Sequence, residues 1–121
     1  MKVTTIGIDV AKSVFQVHGI EEHGKVTLRR QLRRAQVVLF FSNLEPCLIG
    51  MEACASSHYW ARKLSVLGHT LRLMAPQFVK AYRKNDKNDG NDAEAICEAA
   101  ALAARPLQRL VGHPLPKTLS W

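Results

Sequence analysis

Two acidic residues follow short apolar segments, where a carboxylate is costly unless it is paired or binds a cation. Asp9 follows the β-branched segment that begins at Val3, and Glu52 follows the apolar segment that begins at Cys47. A carboxylate in partly desolvated surroundings must be paired, protonated or bound to metal, and no basic residue adjoins Glu52 in the sequence. Asp9 and Glu52 are therefore candidate metal ligands.

Two further acids, Asp89 and Asp92, stand three residues apart at the start of an alanine-rich segment that favours a helix. This spacing places both side chains on one helical face. The same face continues through the apolar residues Ile96, Ala99 and Ala103. Because these apolar residues should pack on a sheet, we expect the two aspartates to reach the sheet edge at which the first two acids emerge.

Four converging carboxylates would suit one kind of chemistry. Ligands that offer only oxygen select hard cations such as Mg²⁺ or Mn²⁺. Two such ions, about 3.5 to 4 Å apart, can activate a water and stabilise the leaving oxygen of a phosphodiester. Taken singly, each acid could instead be a turn residue, an ion-pair partner or a helix cap. The combined pattern favours metal-dependent phosphoryl chemistry.

Basic residues outnumber acidic ones by 17 to 10, which gives a net charge of +7. Such an excess favours a polyanionic partner, because basic side chains that neutralise phosphates release counterions. The segment 25–34 is especially basic, and no acid occurs between Glu52 and Asp86. The candidate contacts to nucleic acid are Lys12, Arg29, Arg30, Arg33, Arg34, Lys80, Arg83, Lys84 and Lys87.

The hydrophobic patterns predict the elements that would position these side chains. Strands are predicted for residues 3–10, 14–20, 26–32, 47–51 and 70–74. Helices are predicted for residues 35–44, 77–83 and 92–104, and for the segment from Ser57 to Gly68. Three antiparallel strands followed by helix, strand, helix, strand and helix predict an α/β fold with a mixed, RNase-H-like sheet.

The chain has no apolar stretch of the roughly 18 residues that a membrane span needs, and its N-terminus begins directly with strand-like sequence. We therefore expect a cytoplasmic protein with no membrane partner. Its three cysteines lack the spacing of a zinc site or a disulfide framework, so we expect three buried, reduced thiols.

Three motifs, in this order, resemble the DEDD transposases of bacterial insertion sequences, the bridge-RNA-guided recombinase group. The motifs are Gly7-Ile8-Asp9-Val10-Ala11-Lys12, Gly50-Met51-Glu52-Ala53 and Lys87-Asn88-Asp89-Gly90-Asn91-Asp92-Ala93-Glu94-Ala95-Ile96. The resemblance implies a RuvC-like N-terminal domain that acts on DNA with divalent metal, uses a guide RNA in the intact family and self-associates. By this resemblance the catalytic, metal-binding quartet is Asp9, Glu52, Asp89 and Asp92.

Members of that family continue through a helical region into a second domain with a nucleophilic serine, and residues 106–121 resemble neither part. We expect residues 1–105 to form the RNase-H-like nuclease domain and residues 106–121 to be the irregular tail of a truncated or frameshifted copy. Ser120 is not expected to replace the missing nucleophile, because no base or preceding fold supports it. Complete strand exchange by these residues alone is therefore not expected.

Three functions follow from these patterns. The first is a transposase nuclease domain that uses Mg²⁺ on DNA. The second is a non-catalytic remnant that still folds and binds nucleic acid. The third is a nucleotide-binding fragment of the actin and sugar-kinase superfamily, whose fold also opens with a strand ending in aspartate. That superfamily prefers a glycine two residues after the aspartate, where this chain has Ala11.

Overall fold

The computed structural model of the chain describes residues 2–11, 13–82 and 89–104, which form a sheet with helices on both faces. The strands are β1 (Thr5–Val10), β2 (Val14–Ile20), β3 (Val26–Arg33), β4 (Leu48–Glu52) and β5 (Thr70–Met74). The helices are α1 (Val37–Ser42), α2 (Ser57–Val66), α3 (Pro76–Lys80) and α4 (Asp89–Ala103), and a 3-10 turn (Arg34–Gln36) precedes α1.

The five strands form one mixed sheet in the order β3-β2-β1-β4-β5. β2 pairs antiparallel with both β1 and β3, whereas β4 pairs parallel with β1 and β5 pairs parallel with β4. The α/β class and the mixed sheet predicted from the order of elements are therefore confirmed. Parallel pairing between β1 and β4 matters most for function, because it brings the carboxyl ends of these two strands to the same edge.

One face of the sheet packs against α1 and α2, and we call it the α1–α2 face. Alternate residues of the strands, such as Ile8, Val17 and Met51, are buried there. They pack with Phe41 of α1 and Leu64 of α2 in a single apolar cluster. This cluster is the larger part of the core and fixes the strand register that positions the opposite face.

The opposite face packs against α4 and α3, and we call it the α4 face. Helix α4 lies across β1, β2 and β4. Ile96 and Ala99, two residues of its predicted apolar face, are buried there together with Met74 of β5 and Val79 of α3. Helix α4 contributes mainly alanines to this second cluster, so the helix approaches the sheet closely.

Several element boundaries differ from the sequence predictions. Helix α4 begins at Asp89 instead of residue 92, and β4 extends to Glu52, which pairs with Met74 of β5. Pairing with β5 therefore keeps Glu52 inside the sheet. The prediction of three buried thiols is wrong for Cys54, which is exposed because it lies in the loop after β4. Among the described helices, none combines the length and the apolar character that crossing a bilayer requires.

Candidate functional site

Asp9 and Glu52 lie side by side at the carboxyl ends of two parallel strands. The register pairs Ile8 of β1 with Met51 of β4, so one further residue places Asp9 beside Glu52. Matched positions on neighbouring strands are about 4.8 Å apart, and their side chains point to the same face. Both residues are half-buried. The structure thus brings these two carboxylates to one edge of the α4 face.

Each of the two strands carries a glycine two residues before its carboxylate, on the same face. A Cβ atom added at Gly7 would overlap the amide nitrogen of Cys97 and the carbonyl oxygen of Ala93. A Cβ atom added at Gly50 would lie 2.6 Å from the Cβ atom of Ala100. The backbone of α4 therefore lies directly against the backbone of the sheet, an approach that only glycine allows.

Helix α4 runs antiparallel to β1, and this direction carries its N-terminus toward the two carboxylates. The sulfur of Cys97 lies 3.6 Å from the carbonyl oxygen of the first residue of β1, and Ala93, one turn earlier, packs on Gly7. One further turn, from Ala93 back to Asp89, covers about 6 Å. The strand covers about 6.6 Å from Gly7 to Asp9. The first turn of α4 therefore lies near the end of β1 that carries Asp9.

Asp92 occupies this first turn and is half-buried, and its Oδ1 atom is shielded from solvent. The side chain of Asp89 lies outside the described part of the chain. Among the side chains that the structure describes, no group of three or more Asp, Glu, His or Cys residues is arranged to hold a metal ion. The convergence of all four carboxylates therefore stays a prediction, and the pair on β1 and β4 is what the fold brings together.

The donors at this edge suit a hard cation. Mg²⁺ is commonly held by one or two carboxylates, with water and substrate phosphates as its other ligands, and Asp9 and Glu52 can supply that pair. Softer metals favour thiolate, thioether or imidazole ligands. Burial raises the pKa of the Cys47 thiol to about 11 and that of the Cys97 thiol to about 12, so both stay protonated near neutral pH. The two carboxylates, Asp9 and Glu52, therefore fit Mg²⁺ or Mn²⁺ better than a softer metal.

Polar side chains continue from the carboxylates across the antiparallel half of the sheet. Asp9 pairs with Gln16 of β2, and Gln16 pairs with Gln31 of β3. The Nε2 atom of Gln16 donates a hydrogen bond of 3.2 Å to Oε1 of Gln31. Glu52, Asp9, Gln16 and Gln31 therefore form one row across four strands of the α4 face, and we call it the polar row.

Two of the predicted nucleic-acid contacts lie against aromatic rings. The guanidinium of Arg30 lies 5.2 Å from the ring centre of Phe40, and that of Arg34 lies 5.3 Å from the ring centre of Trp60. Such cation–π contacts hold the two side chains on the helices of the α1–α2 face. This is the face opposite the carboxylates.

Arg29 and Arg33 lie on the α4 face instead. Leu32 is buried in the cluster under α1 and α2, so its neighbour Arg33 points to the other face, and so does Arg29 four residues earlier. Both arginines are exposed. Lys80, at the end of α3, is also exposed. The remaining candidates, Lys12, Arg83, Lys84 and Lys87, lie outside the described residues.

Sequence reasoning missed the roles of the two glycines and the two glutamines. The motifs around Asp9 and Glu52 share the pattern glycine, apolar residue, carboxylate, and this pattern could have indicated a helix packed on both strands. Alternation in β2 and β3 could have placed Gln16 and Gln31 on one face, but only the register shows that they adjoin Asp9.

The fold is that of a RuvC-like, RNase-H-like domain. The structure superposes on T. thermophilus RuvC, which was solved in complex with a Holliday junction substrate, with a TM-score of 0.63. The superposition covers 93% of this chain and 98% of that chain. Because the two sequences are only 12% identical, this likeness shows the fold alone.

The sequence identifies the family within this fold class. Residues 6–114 match the model of the DEDD transposases of the IS110 type, described as a transposase. The chain therefore belongs to that family, as the three motifs indicated.

Individual relatives agree with this assignment. A probable family 20 transposase of Pseudomonas aeruginosa is 62% identical over 92% of this chain, which covers 32% of the relative. The transposase for insertion sequence element IS1328 of Yersinia enterocolitica is 48% identical over 82% of this chain, which covers 30% of the relative. The transposase for element IS1111A of Coxiella burnetii is 44% identical over 84% of this chain, which covers 28% of the relative. The chain thus spans about a third of the length of these relatives.

Proposed function

We propose that this chain is the nuclease-type domain of a DEDD transposase, which binds DNA and breaks or transfers a phosphodiester bond with the help of Mg²⁺ or Mn²⁺. The observation that carries the proposal is the parallel pairing of Ile8 with Met51, which places the next residues, Asp9 and Glu52, side by side at the carboxyl ends of β1 and β4. The antiparallel course of α4 supports it, since this course directs Asp89 and Asp92 toward the same edge.

The proposed roles of the acidic and the basic residues follow from their charges. Asp9 and Glu52 hold the cation, and the two aspartates in the first turn of α4 supply further ligands. When bound, the divalent metal would activate a water and stabilise the leaving oxygen of the phosphodiester. Without a cation, two carboxylates would repel the phosphate that they must act on. The acids therefore serve as ligands, and attraction of the substrate falls to basic residues elsewhere on the domain.

Four observations support DNA as the partner. The chain carries a net charge of +7, and exposed arginines lie on the face that carries the carboxylates. The relatives are transposases of insertion sequences, and the structural neighbour was solved with a DNA junction. A guide RNA and self-association stay predictions from the family resemblance, and a cytoplasmic location stays a prediction from the sequence.

Cleavage of a four-way DNA junction by the full chain tests the proposal. We expect cleavage with Mg²⁺ and none with a chelator. Asp9→Asn and Glu52→Gln keep the shape of each side chain but remove its charge, and each should lower the cleavage rate at least about 100-fold. Glu22→Gln is the matched control, because Glu22 is an exposed acid in the turn between β2 and β3. The control should cleave at the rate of the unmodified chain.

Thermal unfolding gives a second measurement that does not depend on activity. Mg²⁺ at ten times its dissociation constant should stabilise the unmodified chain by about 1.4 kcal/mol and should stabilise Asp9→Asn far less. DNA binding without cleavage and without metal-dependent stabilisation would identify a non-catalytic remnant. Nucleotide binding without DNA binding would favour the actin-like alternative. Either result would refute the proposal.

A further inference from the structure

The geometry points to a phosphate track on the α4 face, formed by Arg29, Gln31 and Arg33 of β3 with Gln16 of β2. We propose that this track binds the sugar–phosphate backbone of one DNA strand and leads it to Asp9 and Glu52. The inference rests on the proposed function, and it adds which residues guide the substrate and which basic residues do not.

The positions of these four residues in the sheet support the phosphate track. Gln31 and Gln16 belong to the polar row, so they continue directly to Asp9 on the neighbouring strand. Two strand spacings separate Gln31 from Asp9, which is about 10 Å. Arg29 and Arg33 lie on either side of Gln31 and are about 13 Å apart along β3. One DNA strand has a phosphate every 3.4 Å along its axis, so two arginines at this spacing can each reach a different phosphate.

The hydrogen-bond donors of these side chains also support the phosphate track. Arginine binds phosphate oxygens through two parallel hydrogen bonds, and glutamine amides donate to the same oxygens. The side chains of Arg29, Gln31 and Arg33 are exposed. Within the described part of the chain, neither Arg29 nor Arg33 forms an ion pair or stacks on an aromatic ring. Both are therefore available for an anionic ligand.

The surroundings indicate contact with the backbone of DNA, not with its bases. The aromatic side chains on which basic residues of this segment stack, Phe40 and Trp60, lie on the α1–α2 face with Arg30 and Arg34. Bases are held mainly by aromatic platforms or by side chains that read base edges in a groove. The described track offers guanidinium and amide groups, which position a strand without reading its sequence.

A different explanation is that the arginines of β3 protect an edge strand. Charged residues on an exposed edge prevent pairing with another sheet. In that case all four arginines would contribute to DNA binding only through net charge, whichever face they occupy. The two explanations can be separated, because β3 and the 3-10 turn that follows it provide two arginine pairs of equal charge on opposite faces.

The experiment compares two double variants of the full chain. Arg29→Gln with Arg33→Gln removes two charges from the track, whereas Arg30→Gln with Arg34→Gln removes two charges from the opposite face. Binding of a fluorescein-labelled four-way DNA junction is measured by anisotropy over a range of NaCl concentrations. The plot of log K against log salt has a negative slope, and each lost phosphate contact makes this slope less steep by about 0.9.

The track predicts a slope reduced by about 1.8 in the first variant, together with at least a tenfold loss of affinity at 0.1 M salt. The second variant should keep the slope of the unmodified chain. Cleavage by the first variant should fall at low DNA concentration and recover at saturating DNA, since the metal ligands are intact.

A second control covers the case in which loss of the stacked arginines unfolds the domain. Arg62→Gln with Lys63→Gln removes two charges from exposed positions on α2, again on the opposite face, and should leave the slope unchanged. Equal slope reductions in the track variant and a control would overturn the track while leaving DNA binding intact. Absence of DNA binding by the unmodified chain would overturn the track together with the proposed function.

Discussion

Exchange of one methyl group between Gly50 and Ala100 tests whether α4 lies against the backbone of the sheet. A Cβ atom at Gly50 would lie 2.6 Å from the Cβ atom of Ala100 and 3.0 Å from the terminal carbon of Met74. The end of Met74 can move, but the Cβ atom of Ala100 is fixed to the helix. Favourable carbon–carbon contact begins at about 3.5 Å, so α4 would have to move by about 1 Å. We expect Gly50→Ala to lower the free energy of unfolding by about 2 kcal/mol, as overpacked cores do.

Removal of the opposing methyl group should reverse about half of this loss. Ala100→Gly alone should cost about 1 kcal/mol, because glycine inside a helix is less favourable than alanine. In the double variant the overlap is gone, so the total loss should stay near 1 kcal/mol instead of the sum of about 3 kcal/mol. The two positions should therefore show a coupling energy of about 2 kcal/mol, which urea unfolding followed by circular dichroism can measure.

Gly7 provides the matched control for this cycle. A Cβ atom there would overlap backbone atoms of Cys97 and Ala93, which no substitution can remove. Ala100→Gly should therefore fail to rescue Gly7→Ala, and metal-dependent stabilisation should disappear in Gly7→Ala because α4 is displaced from the carboxylates. Additive losses in the Gly50 and Ala100 cycle would refute this account of helix docking. So would a Gly7→Ala variant within about 0.5 kcal/mol of the unmodified chain.

Two further predictions concern titration and thiol reactivity. The backbone N–H of Lys25 donates to the carboxylate of Glu21 and holds the pKa of that carboxyl below its ordinary value of 4.5. This contribution to the free energy of unfolding should be complete well above pH 4.5 and be lost as the pH falls below it, and urea unfolding of Glu21→Gln should show a smaller change over that window. A maleimide at pH 7 should label the native chain once, at exposed Cys54, and label Cys47 and Cys97 only in urea, because burial keeps those thiols protonated and covered. Mass spectrometry counts the labels, and rapid double or triple labelling of the native chain would contradict the described core.

The sequence predicted the sheet and its helices because their patterns are local. Alternation identified β2 with the bounds that the structure has, and the apolar segment before Ala75 identified β5 equally well. The start of α4 was placed three residues late, because the polar residues before Asp92 do not show a hydrophobic period. Local patterns thus determine which elements form, and the boundaries follow from contacts between elements.

The arrangement of the candidate site depended on contacts that no local pattern contains. The sequence suggested that Asp9 and Glu52 end two strands, but only the parallel register shows that they are neighbours. The four arginines of the basic segment are indistinguishable in the sequence, but β3 and the 3-10 turn after it place them on two opposite faces. Arg30 could not be recognised as an aromatic-stacked residue, because Phe40 approaches it only when α1 packs on the sheet.

The docking of α4 affects when the candidate site is assembled during folding. The contact between Cys97 and Thr5 joins residues 92 positions apart, so loop closure makes it one of the slower contacts to form. A folding intermediate that has its sheet but not this helix carries Asp9 and Glu52 without the aspartates of α4. A nascent chain on the ribosome would therefore bring the first turn of α4 to Asp9 and Glu52 only after α4 has been synthesised and has packed on Gly7 and Gly50.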